Sequence, residues 1–116
     1  MHISGEAKLL RIFIGETDLL HHIPVHEKIV TEARKAGLAG ATVFKGIMGY
    51  GGTSRIHTSK ILRLSEDLPL IIEIVDTESK IENFVPVLEN IFEEANCGGL
   101  ITLEKAEIIK YTSVKK

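Results

Sequence analysis

Two stretches of the chain repeat apolar residues at helical spacing, and each lies between runs rich in β-branched and aromatic residues. From Val25, the positions Ile29, Ala33 and Ala36 make one stripe, which Gly37 closes. Ile81, Phe84, Val85, Leu88, Ile91 and Phe92 make the second. Steps of three and four place such residues on one side of a helix. Pro24 suits the first turn of the first helix, where no amide donor is needed. Pro86 falls within the second pattern, where it removes a donor and crowds the preceding turn, so the expectation is a kink or a main helix that starts near it. Asp76, Thr77 and Ser79 offer capping oxygens ahead of that helix.

The flanking runs read as strands. "KLLRIFI" (8–14) ends at Gly15, "LIIEIV" (70–75) follows Pro69, and Leu100 to Ile109 returns to strand composition after "NCGG". Ala41 to Met48 is a further candidate, whose weak alternation suits a strand covered at least partly on both faces. "ETDLLHHI" has no clean period, and Ser54 to Leu64 reads as a loop or a ribbon. The order is therefore β-α-β-β-α-β, that of an α+β ferredoxin-like sandwich with two helices on one face of a four-stranded sheet. One domain is expected over 1–116, with its core at about 8–110. The strands are apolar in both parities, so the sheet face without helices calls for cover, and association of copies supplies it.

Composition narrows the function classes. Fourteen basic and sixteen acidic side chains give a net charge of −2, which offers no general attraction to nucleic acid or anionic membrane. No apolar run approaches the roughly 20 residues that cross a bilayer. No export leader is visible, so the cytoplasm is the expected location. The single Cys97 excludes an intrachain disulfide and, beside Gly98 and Gly99, reads as a loop residue without a neighbouring base.

"KGIMGYGGTSR" (45–55) is the segment with most chemical promise. Gly49, Gly51 and Gly52 let backbone amides approach an anion, while Thr53, Ser54 and Arg55 add donors. The plain alternative is a turn and hinge, with Tyr50 packing over its base. Neither a Walker phosphate loop nor a dinucleotide fingerprint is present. Lys45, Arg55, Lys60 and Arg63 form either a positive rim or an ordinary solvated surface, and Arg55 is the best single phosphate contact because its planar fork offers two donors. The connection from Gly49 to Ser65 is expected to be the most mobile internal segment.

His21, His22 and His26, with Asp18 and Glu27, are the only local group of metal-ligand type, suited to zinc or copper. His22 and His26 share a helix face only if the helix begins before Pro24, and HExxH is absent. Glu73 shares parity with Ile71 and Val75, at a solvated margin or a polar cleft between subunits. Asp76 reads as a helix cap. The strands lack the paired aromatic platform of RNA-recognition modules, and no acylphosphatase-type phosphate loop with arginine and asparagine is found.

"AGATVFKGIMGYGG", the capped helix after "LIIEIVD", and "GGLITLEKAEI" together resemble an uncharacterised protein family with a PII-like signalling fold, over about residues 8–110. Similarity to the PII nitrogen-signalling proteins themselves is more distant. The resemblance implies a homotrimer with three sheets facing a central core and three clefts between subunits, where PII proteins bind adenine nucleotides. Gly49, Tyr50 and Gly51 correspond to the glycine, aromatic, glycine at the base of the PII effector loop. Met48 stands where that motif has lysine, and the basic, glycine-rich connection before the final strand is missing. The expectation is a non-enzymatic sensor or adaptor that binds an adenine nucleotide or other small anion and a protein partner. Its alternatives are a structural or interaction trimer and a zinc- or copper-binding module.

Overall fold

Alternation along the strands decides which side of the sheet is buried. The computed structural model describes residues 5–51, the backbone of 57–58, and 67–114. In chain order these form β1 (Gly5–Gly15), β2 (Leu19–Leu20), β3 (Ile23–Pro24), α1 (Val25–Lys35), β4 (Thr42–Lys45), β5 (Met48–Gly49), β6 (His57–Thr58), β7 (Pro69–Asp76), α2 (Glu78–Ala95) and β8 (Leu100–Ile108). The main sheet has the order β4-β7-β1-β8 with every neighbouring pair antiparallel. Two consecutive strands of the main chain path are never adjacent across a helix, which is the split βαβ arrangement of the ferredoxin-like, PII-like fold.

Leu10, Ile12 and Ile14 of β1 and Leu70, Ile72 and Ile74 of β7 point under the helices and are buried. Val25, Ile29 and Ala33 from α1 and Ile81, Phe84, Leu88 and Ile91 from α2 close that core. The period of two in the strands and of 3.6 in the helices thus meet in one layer.

The helix ends follow local chemistry. Pro24 is the residue just before α1, and Gly37 takes φ +79 after it. Gly37 N–H donates to Arg34 O and Leu38 N–H to Ala33 O, with Leu38 buried, so α1 closes in a Schellman turn. Ala36, expected on the apolar stripe, is exposed because it already belongs to that turn. Asn96 (φ 50) ends α2 by the same pattern, with Asn96 N–H bonded to Glu93 O and Cys97 N–H to Phe92 O.

Several expectations need correction. α2 spans Glu78–Ala95 with Pro86 inside it, so the main helix does not start near the proline, whose exposed position lets the carbonyl deprived of its donor face water. Asp76 does not cap the helix. Thr77 is the N-cap residue and makes no side-chain cap bond, while Asp76 is fully buried and accepts the amides of Ala39 (2.8 Å) and Thr77 (2.6 Å). The run 41–48 divides at Gly46 into β4 and β5, and all four residues of β4 are exposed at the sheet edge, not covered on both faces. "ETDLLHHI" contains a small hairpin in which Leu20 pairs with Ile23, leaving His21 (φ 48) and His22 (φ 71) as its two-residue turn. Positive φ at both positions is the conformation that suits a two-residue hairpin loop, and it is usually supplied by Asn or Gly.

Candidate functional site

The glycine-rich segment leaves the sheet beside the start of β7. Gly46 N–H donates to Pro69 O at 2.7 Å, and a Cβ on Gly46 would lie 2.7 Å from Pro69 Cγ. A Cβ on Gly49 would lie 3.1 Å from the same atom. The close approach to the proline ring explains why these two positions lack side chains. Met48 and Gly49 then pair with Thr58 and His57, so the ribbon, one of the two readings of this connection, is present at its base. This pairing sets Gly49 beside His57.

Of the candidate ligand residues, Gly49 is partly buried, while Tyr50 (70% exposed) and Gly51 stand free on the surface. Tyr50 therefore does not pack over the loop base within one chain. Gly52, Thr53, Ser54 and Arg55 lie outside the described residues, as do Lys60, Arg63 and most of the 49–65 connection expected to be mobile. Lys45 forms an ion pair with Glu16 at 2.9 Å.

The end of β1 meets this segment from the other side of Pro69. Glu16 N–H donates to Leu68 O, Thr17 N–H to Asp67 Oδ1, and Gly15 N–H to Asp18 Oδ2. A Cβ on Gly15 would lie 2.6 Å from Asp67 Oδ1. Burial pushes the Asp18 carboxyl above its ordinary range and the charge of Asp67 adds to this, against the Gly15 amide that lowers it. Burial, followed by the charge of Asp18, raises the Cys97 thiol. A protonated, half-buried thiol is a poor nucleophile, in keeping with the loop reading of Cys97.

The connection from α2 to β8 is only Asn96, Cys97, Gly98 and Gly99, with no lysine or arginine. Gly99 is wedged there, since a Cβ would lie 2.6 Å from both Phe13 O and Phe92 Cε2. The connection offers no charged donor to a phosphate.

The histidines do not converge. His21 and His22 occupy the exposed hairpin turn, and His26 lies on α1, which begins at Val25, so His22 and His26 share no helix face. Among the described residues no three His, Cys, Asp or Glu side chains form a group able to hold a metal ion. The metal-module reading thus finds no ligand set there. His26 Nδ1 is buried without a hydrogen-bond partner among the described residues.

The sheet face away from the helices carries features that sequence reasoning passed over. Glu73 is neither free nor merely marginal, because Arg11 Nε donates to its Oε2 at 2.8 Å and Arg11 Nη1 donates to Glu104 Oε2 at 3.1 Å. The Glu73 bond, then the Glu104 charge, hold the guanidinium proton more tightly than usual. The signal was Arg11 itself, which shares parity with Leu9 and Phe13 in the first strand. Beside it, Arg11, Phe13, Phe44, Ile71 and Glu73 line a shallow, open hollow. Among the described residues no helix is long and apolar enough to cross a membrane.

Comparison with known proteins agrees with this architecture. Residues 7–108 match DUF190, a family described as Uncharacterized ACR, COG1993. A UPF0166 protein of Aquifex aeolicus (strain VF5) is 44% identical over 102 residues, covering 88% of this chain and 92% of its own. A UPF0166 protein of Methanocaldococcus jannaschii is 37% identical over 105 residues, covering 90% and 94%. Among solved structures, CPII from Thiomonas intermedia K12, a nitrogen regulatory PII-like protein bound to ADP, AMP and bicarbonate, superposes with a TM-score of 0.66 at 17% identity, over 93% of this chain and 91% of that one. Its apo form gives 0.60 at 16% identity, over 97% and 100%. At such identities the likeness concerns the fold alone. By family match and by relatives over nearly its whole length, the chain belongs to the uncharacterised DUF190 family and has the PII-like, ferredoxin-type fold.

Proposed function

We propose that this protein is a non-enzymatic, PII-like sensor or adaptor that takes an adenine nucleotide or other small anion beside residues 49–55, in a cleft between the subunits of a homotrimer. The observation that carries this reading is the anchored base of the glycine turn. Gly46 and Gly49 are held against Pro69, and Met48 and Gly49 are paired with Thr58 and His57. A stem fixed in this way lets a ligand be taken beside it without disturbing the main sheet. The fold neighbour solved with ADP, AMP and bicarbonate suggests the ligand class. Because the α2–β8 connection carries no basic side chain, Arg55 becomes the main phosphate contact, with Thr53 and Ser54 as additional donors.

Calorimetry of metal-free protein against ATP, ADP, AMP, cyclic nucleotides and divalent metals tests this. Saturable nucleotide binding, weakened at least tenfold by Arg55→Ala with the assembly intact, is the expected result. No heat across millimolar nucleotide would remove the nucleotide version. Sedimentation equilibrium tests the trimer. A constant mass of one 12.8 kDa chain through the micromolar range defeats it, and so does a stable dimer.

A second reading, a structural or interaction trimer without a ligand, is favoured by the open sheet face. Phe44 (48%) and Leu100 (55%) are exposed there, and burying them against another copy is favourable whether or not a ligand binds. The calorimetric titration separates the two readings.

A further inference from the structure

The open face holds a slot between two aromatic side chains. By register, Phe44 on β4, Ile71 on β7 and Phe13 on β1 lie side by side across three strands. Strands about 4.8 Å apart put the two phenylalanines about 10 Å from each other, with the shorter isoleucine as a floor between them. Glu73, two residues beyond Ile71 on the same face, closes one end of the slot and lies opposite Arg11. Together these five residues line the hollow, whose volume is about 400 Å³. That is room for a small organic molecule.

Charge decides what the hollow can hold. Among the described residues of the four strands, Arg11, Glu73 and Glu104 are the only charged side chains on this face, and two carboxylates against one guanidinium leave one negative charge. Arg11 is shared between the acids, since Nε donates to Glu73 Oε2 and Nη1 to Glu104 Oε2. Among the described residues Glu73 Oε1 has no partner, and the side chain is 31% exposed, so one acceptor oxygen stays available at the end of the slot. An anion would meet the excess carboxylate. A neutral apolar molecule would cover that oxygen and leave it unpaired. A cation with an apolar body satisfies both features, because aromatic faces attract positive charge and the carboxylate neutralises it. Quaternary ammonium groups, whose charge is spread over methyl groups, are the class that aromatic side chains recognise in this way.

We propose that the hollow between Phe13, Phe44 and Glu73 binds a small alkylated ammonium cation of about the size of choline. The site goes beyond the nucleotide reading and shares no residue with 49–55. A free molecule suits it better than a side chain carried on a peptide, because the middle of a sheet face has no backbone groups left to hold a peptide. An assembly that covers this face would enclose one excess negative charge in every copy, and a cation in the hollow offsets it.

Calorimetry of the full chain compares choline with 3,3-dimethylbutan-1-ol, which has the same shape but carbon in place of the charged nitrogen. Choline is expected to bind saturably, one molecule per chain, and the neutral alcohol about tenfold more weakly or not at all. Glu73→Gln removes the carboxylate charge at the end of the slot, and Phe44→Leu removes one ring from the exposed edge strand. Each is expected to weaken choline about fivefold, with the circular dichroism spectrum unchanged. Glu104→Gln removes the excess charge without altering the slot, and is expected to weaken choline about threefold and leave the alcohol unaffected. Absence of saturable heat across millimolar choline, equal binding of the alcohol, or indifference to both Glu73→Gln and Phe44→Leu overturns the proposal. The nucleotide reading is reported separately by Arg55→Ala, so either can fail while the other stands.

Discussion

Tyr111 donates from Oη to the carbonyl of Ala39 at 2.8 Å, joining residues 72 positions apart. The amide of the same alanine is held by Asp76, and Lys80 Nζ donates to Gly37 O at 3.0 Å. Three side chains, two from the β7–α2 junction and one beyond β8, thus fix the connection between α1 and β4, the strand from which the glycine turn hangs. Removing them should have unequal costs. Tyr111→Phe loses one partly exposed bond and should cost about 1 kcal/mol, or roughly 4 °C in melting temperature. Asp76→Ala strips a fully buried acceptor from two amides and should cost about 3 kcal/mol. Thermal and denaturant unfolding of the two variants measures the contrast, and equal effects would contradict it.

The adjacent glycines before β8 make a second contrast. Gly99→Ala should destabilise by about 1–3 kcal/mol, because the new methyl group meets both a backbone carbonyl and the Phe92 ring. Gly98→Ala meets nothing within 4 Å and should be neutral or slightly stabilising. Denaturant midpoints for the pair decide whether close packing, not chain flexibility, demands glycine at 99.

Pro86 can be replaced with gain. Pro86→Ala restores an amide donor to the interior of α2 at an exposed position, and should stabilise the protein by about 1–2 kcal/mol once the greater freedom of the unfolded chain is subtracted. A higher denaturation midpoint with unchanged slope is the expected observation; a lower one would mean that the proline relieves some crowding not evident in the helix.

Asp18 should oppose stability at neutral pH. Its folded-state carboxyl is raised above the ordinary value of 3.8, so the folded protein binds this proton more tightly than the unfolded chain does. The sign follows: stability falls as pH rises from about the unfolded value through the raised folded one, and the loss is complete above it. Asp18→Asn keeps an acceptor for the Gly15 amide but removes the charge, so it should stabilise at pH 7, and the gain should fade as the pH is lowered to 3.8. Unfolding at the two pH values checks this. The same variant should speed alkylation of Cys97, whose thiol loses a nearby negative charge.

The alternation of "KLLRIFI" and "LIIEIV", the helical stripes beginning at Val25 and Ile81, and the stop at Gly37 are properties of neighbouring residues, and they were legible without a structure. They determined the β-α-β-β-α-β order and the buried face of each helix. Gly49 was legible too, as the end of the second strand, whereas the break at Gly46 was not. The reason for either glycine was hidden, because Pro69, which crowds both, is far along the chain. The His21–His22 turn escaped notice because it lacks the Asn or Gly that usually marks such hairpins.

What the tertiary structure alone decided are the partners brought together by register. Arg11 meets Glu73 and Glu104 across separations of 62 and 93 residues, and Asp76 reaches Ala39 across 37. No local pattern announces such pairs, since a charged residue on a strand is compatible with solvent, a cap or an ion pair until its neighbours in the sheet are known. The exposure of β4 was likewise hidden, because its composition is that of a covered strand while its position is an edge. Short-range periodicity specifies the elements, whereas the pairing of strands distant in sequence specifies which polar groups they bring together.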